Sequence, residues 1–198
     1  MEKIAVDIVL LPSEEVMEKA IAANKELLKQ YPDKIILNKE NCLPHISLAM
    51  GAIDQIQISD AGKILSSIAE KYSPETLKFI GFSTLTNSVG EKVTVAIIEK
   101  AKFLQSLHEE IMKKLAKYLS YDITENMLLS EKADESTLLW IKKFPENSSF
   151  KKYYPHITLG YGQLENLPFP DDCKVSKLAI CHLGNHCTCK KILVSIEL

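Results

Sequence analysis

The feature that most constrains this chain is a short sequence that occurs twice. Residues 44–51 read PHISLAMG and residues 155–162 read PHITLGYG, so that proline, histidine, isoleucine, leucine and glycine recur at matching positions. One histidine-apolar-hydroxyl-apolar tetrapeptide occurs by chance in roughly one chain in ten of this size, but two copies within matching octapeptides are far rarer. The repeat therefore predicts two related halves.

The alternation of residue types within each copy is typical of a β-strand. Side chains alternate across a strand, so His45 and Ser47 share one face, and His156 and Thr158 share a face in the second copy. The apolar residues between them anchor each strand in a core, and the proline before each histidine favours an extended entry. If the two halves pack about a pseudo-twofold axis, two imidazoles and two hydroxyls can meet in one cleft.

Such a cleft suits phosphodiester chemistry. Imidazole has an ordinary pKa of about 6.5, so a pair of histidines can divide the tasks of general base and general acid near neutrality. Hydroxyls beside them can donate hydrogen bonds to the non-bridging oxygens of a phosphoryl group. A serine two residues along a strand from a histidine is its side-by-side neighbour, which is not the arrangement of a Ser-His-Asp nucleophile. The repeat therefore predicts phosphodiester cleavage without a metal.

The remaining sequence shows strand and helix patterns in turn. Strands are predicted over 4–11, 34–37, 45–50, 77–86, 92–99 and 156–161 and in two runs of the tail, 175–183 and 189–198; helices are predicted from Ser13 to Tyr31, from Asp60 to Tyr72, over 101–120 and over 134–144. This order indicates an α+β fold with mainly antiparallel pairing, roughly repeated in each half. No linker or low-complexity segment interrupts it, so we expect residues 1–198 to form a single bilobal domain.

The pattern also makes four local predictions. His108 falls on the charged face of the third predicted helix, which predicts a solvated side chain. Trp140 lies near the apolar stripe of the fourth. Residues 121–133 have no clear period and are predicted to form a loop. Gly184 and Asn185 both tolerate a positive φ and predict a hairpin turn in the tail.

The charge of the chain limits its partners. The 24 basic and 26 acidic residues give a formal net charge of −2, which leaves no positive surplus for coating duplex DNA. Every basic residue is lysine and none is arginine, so bidentate guanidinium contacts to an anion are excluded. A phosphate must be held by lysine, histidine, hydroxyls or backbone N–H groups.

The start of the chain and its cysteines bear on the compartment. The apolar stretch near the N-terminus is interrupted by Asp7 and is far shorter than the roughly 20 residues of a membrane span. We expect no signal peptide and no membrane contact. The five cysteines are an odd number, scattered in a chain large enough to build its own core, which does not indicate a secreted disulfide framework. A soluble, cytoplasmic protein is expected.

Residues 181–189 read CHLGNHCTC and contain three cysteines and two histidines. A zinc site is one interpretation of this cluster. The spacing is not Cys-x-x-Cys, however, and a turn at Gly184 and Asn185 would place Cys187 and Cys189 on one face of a hairpin, opposite His182. Buried thiols on a core hairpin account for the cluster without a metal, so no metal is predicted.

In the two tetrapeptides the sequence resembles the two-histidine (2H) phosphoesterase superfamily, especially the LigT-like, 2′-5′ RNA ligase branch and the related 2′,3′-cyclic nucleotide phosphodiesterases. The resemblance implies two pseudo-symmetric lobes with mainly antiparallel sheets facing across a central cleft and helices outside. It implies that His45 and His156 are the general acid and base, that Ser47 and Thr158 bind phosphate, and that no cofactor is needed. The implied substrate is a nucleotide or RNA end with a 2′,3′-cyclic phosphate, opened to a 2′-phosphate.

The sequence departs from this family behind the second motif, where several relatives carry an arginine and this chain has Gly160. Five nearby residues are candidates for binding substrate instead: Lys151, Lys152, Tyr153, Tyr154 and Tyr161. Two other functions stay open. The same four motif groups could hydrolyse or ligate 2′-5′ linkages, or the cleft could bind a nucleotide or RNA end without turnover.

Overall fold

The computed structural model describes residues 2–87, 89–130, 132–164 and 168–198, and this part of the chain is an α+β fold, as predicted. Its strands are β1 (Lys3–Pro12), β2 (Ile46–Asp54), β3 (Glu75–Thr86), β4 (Lys92–Ile98), β5 (His156–Tyr161), β6 (Asp172–Leu183) and β7 (Cys189–Glu197), and its helices are α1 (Glu14–Leu27), α2 (Ile58–Ala69), α3 (Lys102–Leu115) and α4 (Glu135–Asn147). The helices lie outside the sheet. Ser88 of the predicted connection between β3 and β4, and Glu131 of the predicted loop, lie outside the described residues.

All of the described strand pairs are antiparallel, and the strands form two groups. The first group has the order β2-β1-β6-β7 and the second has the order β5-β4-β3. The groups join at two places. Ile46 of β2 pairs with Ile157 of β5, and residues 75–78 of β3 pair with residues 172–175 of β6. The predicted antiparallel arrangement in two halves is therefore confirmed.

The two motif strands share an irregularity. Where β1 pairs with β2, the pairing skips Leu48, and where β4 pairs with β5, it skips Leu159. These leucines occupy the same position in the two octapeptides, and both side chains are fully buried. A bulge at this position bends the strand and re-aims the side chains beside it. The sequence repeat is thus also a repeat of backbone geometry.

The strand β1 lies between β2 and β6, and its side chains from Ile4 to Pro12 are buried. Burial on both faces explains why its sequence is a continuous apolar run rather than an alternating one. The exception to this apolar character is Asp7, which is fully buried. In the described ranges, no helix combines the length and hydropathy required to cross a bilayer.

Helix α1 lies close against β5. Gly160 has φ +145°, and a Cβ added there would lie 2.8 Å from Nδ2 of Asn24 and 3.2 Å from Cδ1 of Leu27. The same Nδ2 donates a hydrogen bond of 2.7 Å to the carbonyl oxygen of Leu159. Both the backbone conformation and this close approach require glycine.

The predicted strand over 34–37 is wrong. These residues are outside the sheet, although Ile35 and Leu37 are buried. The side chain of Asn24 donates to the carbonyl oxygen of Ile35 at 2.9 Å and accepts from the N–H of Leu37 at 2.9 Å. A side chain of α1 therefore satisfies the backbone groups that a neighbouring strand would otherwise satisfy.

Helix boundaries also differ from the predictions. Helix α2 begins at Ile58, so Asp60 lies in its first turn rather than at its N-cap, and the Asp60 carboxylate accepts a hydrogen bond from Lys63. Helix α3 ends at Leu115. Trp140 is 44% exposed, because the buried face of α4 carries Thr137, Ile141 and Phe144 instead.

The predicted solvent exposure of His108 is wrong. Helix α3 packs on β2, and the segment before β5 covers the helix face that carries His108. Its Nδ1–H donates to the carbonyl oxygen of Leu48 at 2.6 Å, and its Nε2 accepts from the N–H of Phe150 at 2.7 Å. The ring stacks on Tyr153 with a centroid distance of 4.1 Å. Burial lowers the pKa of His108, which is therefore a neutral structural side chain.

The predicted two-residue turn in the tail is replaced by a longer loop, residues 184–188, between β6 and β7. His186 and Cys187 have φ values of +57° and +54°, which non-glycine residues rarely adopt. The side chain of Asn185 holds the loop, because its Oδ1 accepts hydrogen bonds from Asp134 N–H and from the Thr137 hydroxyl. This anchoring to α4 offsets the local strain.

Candidate active site

The pairing of Ile46 with Ile157 brings the two motifs together. In an antiparallel pair, the residue before Ile46 lies beside the residue after Ile157, so His45 lies beside Thr158 and Ser47 beside His156. The isoleucines point into the core and are fully buried, whereas the other four side chains point the other way. All four line one cavity of about 420 Å³.

The two imidazoles are held in the same way. Nδ1 of His45 is 2.7 Å from the carbonyl oxygen of Leu43, and Nδ1 of His156 is 2.7 Å from the carbonyl oxygen of Tyr154. In each case the acceptor lies two residues earlier in the chain. A carbonyl oxygen can only accept, so each Nδ1 carries the hydrogen and each neutral ring has its lone pair on Nε2.

Burial lowers the pKa of both histidines. For His45 the pKa falls to about 4, because burial disfavours the imidazolium and His156 adds electrostatic repulsion. The pKa of His156 is also lowered by burial. Both rings are therefore neutral bases at neutral pH. An anionic phosphate would favour the charged form of either ring and would raise its pKa.

Asp7 belongs to this site and was not predicted as a site residue. A hydrogen bond of 2.6 Å joins its Oδ2 to Oγ of Ser47, and the same Oδ2 is 3.6 Å from Nε2 of His45. Burial raises the pKa of Asp7 well above its usual range, more than the hydrogen bond with Ser47 lowers it. The sequence did contain a signal for Asp7, which is an aspartate within an otherwise apolar strand. Carboxyl groups are rarely buried unless they have a hydrogen-bond or charge partner, so such a residue is a candidate for a functional site.

The wall of the cavity is largely apolar and aromatic. Trp140 and Tyr154 are each 44% exposed and line it, and Tyr161 lines it from β5. Among the described lining residues, Lys152 is the only one with a permanent charge, and its Nζ also donates to the carbonyl oxygen of Glu146. A cavity with one lysine and neutral imidazoles suits a ligand of small negative charge.

Four of the five candidate substrate-binding residues line the cavity: Lys152, Tyr153, Tyr154 and Tyr161. Tyr153 is buried against His108, and Tyr154 lies at a tilt to His156. Lys151 instead borders a separate, shallow depression with Lys100, so its contact with a substrate stays a prediction that the structure does not support.

The loop 184–188 contributes a third histidine to the cavity. Nδ1 of His186 is 3.1 Å from the hydroxyl of Tyr161 and 3.4 Å from Oδ2 of Asp134. His186 belongs to the cysteine-histidine cluster of the sequence, but the sequence did not predict that it lines the cavity. The cysteines of that cluster, Cys181, Cys187 and Cys189, are unpaired. Within the described ranges, no three His, Cys, Asp or Glu residues are grouped closely enough to hold a metal ion.

Comparison with solved structures identifies the fold. The structure of E. coli LigT in the apo form is similar, with a TM-score of 0.61 and 13% identity, covering 100% of this chain and 99% of that chain. A structure described as a phosphoesterase has a TM-score of 0.61 at 12% identity, covering 100% of this chain and 99% of its own. The protein TT0787 of Thermus thermophilus has a TM-score of 0.61 at 15% identity, covering 98% of both chains.

No protein-family profile matches the chain, and no curated protein sequence matches it. The structural likeness covers the whole chain at low identity, so it establishes the fold. The chain has the fold of the LigT-like 2H phosphoesterases, and the resemblance stated from the repeated motif is confirmed at that level.

Proposed function

We propose that this protein is a metal-independent phosphodiesterase that hydrolyses 2′,3′-cyclic phosphates of nucleotides or RNA ends. The observation that carries the proposal is the pairing of Ile46 with Ile157, because it puts two histidines and two hydroxyls on one wall of the cleft. His45 and His156 are the general acid and base, and Ser47 and Thr158 bind the phosphate. Two histidines suffice for both proton transfers of the reaction.

The reaction requires one proton to be removed and one to be delivered. Nε2 of one histidine removes a proton from water, and the water oxygen bonds to phosphorus. The bond from phosphorus to the ribose 3′-oxygen breaks, and the other imidazolium protonates that oxygen, leaving a 2′-phosphate. The hydroxyls of Ser47 and Thr158 donate hydrogen bonds to the non-bridging oxygens, where negative charge is concentrated during the displacement.

The rest of the cavity supports a small nucleotide-like substrate. A cyclic phosphodiester carries one negative charge, which matches a cavity whose permanent positive charge, among its described residues, is that of Lys152. Trp140 and Tyr154 offer exposed aromatic surface on which a base can stack. The similar E. coli LigT has been solved in complex with phosphate and with 3′-AMP, which are ligands of the same chemistry.

We also propose that the enzyme is cytoplasmic and consists of a single bilobal domain. All five cysteines are unpaired, which suits the reducing cytoplasm. The two groups of strands are proposed to work as one bilobal domain, since each supplies one half of the four-residue constellation.

The test is product-resolved hydrolysis of the four nucleoside 2′,3′-cyclic monophosphates in the presence of EDTA. The wild type should form a single phosphate regioisomer. Substituting His45→Ala or His156→Ala should each lower kcat by a factor of about 10² or more, as expected for the loss of a general acid or base.

His182→Gln is the matched control, because the His182 ring bonds to the carbonyl oxygen of Met127 and does not line the cleft. This variant should keep wild-type activity. Retained hydrolysis in either motif variant would contradict the assigned roles. If folded wild type fails to turn over any cyclic phosphate but cleaves or joins 2′-5′ linked oligonucleotides, the proposal is replaced by the ligase function. Nucleotide binding without turnover of any of these substrates would indicate the binding module.

A further inference from the structure

The carboxyl group of Asp7 lies in a buried environment that disfavours a negative charge. It is fully buried in β1, between β2 and β6, and its Oδ1 has no hydrogen-bond partner. Among the described residues, the one cationic or potentially cationic group within salt-bridge distance is His45. An ionised carboxylate needs a cation or several donors to be stable in such a position.

Five titratable groups lie around Asp7: the imidazole of His45, the hydroxyl of Tyr153 and the thiols of Cys181, Cys187 and Cys189. Burial lowers the pKa of His45 and raises the pKa of the Tyr153 hydroxyl. Burial also raises the pKa of the Cys187 and Cys189 thiols. Phenols and thiols are never cationic and the His45 imidazole is neutral, so none of the five groups supplies a positive charge at neutral pH. Burial also raises the pKa of Asp7 itself.

The state of Asp7 decides what Ser47 can do. A hydroxyl has one hydrogen, and Oγ of Ser47 lies 2.6 Å from Oδ2 of Asp7. If Asp7 is ionised, Ser47 must donate its hydrogen to the carboxylate and has none left for a phosphate. If Asp7 is protonated, the carboxylic acid donates to Oγ, and the hydrogen of Ser47 is free to point into the cleft.

The second motif has no such partner. Ser47 pairs with Val9 in β1, and Thr158 pairs with Val95 in β4, so the two strand pairs correspond. Two residues earlier, β1 has Asp7 and β4 has Val93. The pseudo-symmetry of the fold is therefore broken at this position, and only the first hydroxyl is joined to a carboxyl group across the described pair of strands.

We propose that Asp7 is a positioning residue that stays protonated at neutral pH and donates a hydrogen bond to Ser47, which turns the Ser47 hydroxyl toward the phosphate. This inference rests on the proposed function in that it assumes that Ser47 contacts a phosphate. It makes the two motifs unequal, because Thr158 would bind the phosphate without a carboxylic acid to orient its hydroxyl.

The first measurement needs no substrate. The ¹³Cγ chemical shift of Asp7, assigned by its absence from the spectrum of Asp7→Asn, should keep the value of a carboxylic acid through pH 7. A carboxylate shift at neutral pH would overturn the proposal, because an ionised Asp7 would accept the hydrogen of Ser47 and leave none for a phosphate.

The second measurement is the affinity for inorganic phosphate, determined by calorimetry. Asp7→Val removes the donor that orients Oγ of Ser47 and should weaken binding by up to about tenfold, the effect of one hydrogen bond to a charged group. In Asp7→Asn the amide can donate to Oγ as the acid does, and binding should stay within about threefold of the wild type. Equal losses in both variants would refute a donor role for Asp7.

A double-mutant cycle separates positioning from general damage to the fold. Asp7→Val and Ser47→Ala should be strongly non-additive, because Asp7 affects phosphate binding only through the hydroxyl of Ser47. Asp7→Val and Thr158→Val should be additive. Additivity with Ser47→Ala would contradict the inference. Phosphate affinity is measured without turnover, so the two proposals can fail separately. If the protein hydrolyses cyclic phosphates but Asp7→Val and Ser47→Ala are additive, only the role of Asp7 is rejected. If the two variants are non-additive but no cyclic phosphate is hydrolysed, only the proposed phosphodiesterase activity is rejected.

Discussion

Ile46 of β2 and Ile157 of β5 are directly paired, and they are the single described ladder pair between these two strands. Each isoleucine lies between the histidine and the hydroxyl residue of its own motif. One backbone contact therefore sets the relative positions of four side chains. The packing around this contact decides whether the site forms.

Trp140 is predicted to stack on the base of a nucleotide. It is exposed and lines the cleft, so Trp140→Ala should raise the KM for a nucleoside 2′,3′-cyclic phosphate by about fivefold or more, given that stacking contributes roughly 1–3 kcal/mol per base. Leu139→Ala is the control, since Leu139 is 43% exposed on the same helix but does not line the cleft. Steady-state kinetics compare the two variants, and equal KM values would remove Trp140 from the binding surface.

Gly160 is predicted to be essential for the packing of α1 on β5. Gly160→Ala should lower the free energy of unfolding by about 2 kcal/mol or more, because it adds both a strained φ and a Cβ too close to Asn24. Gly81 has a similar φ of +141° but nothing within 4 Å of an added Cβ. Gly81→Ala should therefore cost only about 1 kcal/mol, from the backbone alone. Urea denaturation measures the difference, and equal costs would show that the close approach is unimportant.

The hydrogen bonds of Asn24 are predicted to stabilise the fold. Its side chain makes three buried hydrogen bonds, to Ile35, Leu37 and Leu159, so Asn24→Ala should destabilise the protein by about 2–4 kcal/mol. The exposed neighbour on α1, Lys25, should tolerate alanine within about 0.5 kcal/mol. Thermal unfolding of both variants provides the measurement, and a small change for Asn24→Ala would mean that the loop before β2 reorganises freely.

His108 is predicted to make the protein sensitive to acid. Burial lowers its pKa in the folded state, so below pH of about 6.5 the unfolded chain binds a proton that the folded chain does not. This contribution to stability is present at neutral pH and decreases as the pH falls from about 6.5 toward the lowered pKa of the folded state.

The variant His108→Phe tests this assignment. It removes the hydrogen bonds that the imidazole makes with the carbonyl oxygen of Leu48 and the N–H of Phe150, and should cost about 2–4 kcal/mol at pH 7. The difference from the wild type should narrow on acidification, because the variant has no imidazole to titrate. Lys102→Ala, at an exposed position of the same helix, should keep the wild-type pH dependence. A difference that is constant between pH 7 and pH 5 would refute the role of burial.

The sequence alone determined the motif strands, the fold class and the four central side chains of the site. Alternation along a strand is a local property, so the shared face of His45 and Ser47 followed from their spacing. The octapeptide repeat predicted two related halves. It could not show that the halves meet through Ile46 and Ile157, although this pairing is what brings the motifs to one cavity.

Tertiary structure decided the features that depend on contacts between distant segments. His108 was predicted to be exposed, because helical periodicity describes one helix at a time. It does not include the segment before β5, which covers the face of α3 that carries His108. Residues 34–37 looked like a strand because their composition does not reveal that Asn24 satisfies their backbone. In the sequence Asp7 was only a polar residue within an apolar run. The packing of β1 against β2 places it within hydrogen-bond distance of Ser47. Local pattern specifies which groups a strand or helix presents, whereas burial and hydrogen-bond partners depend on which surfaces pack together.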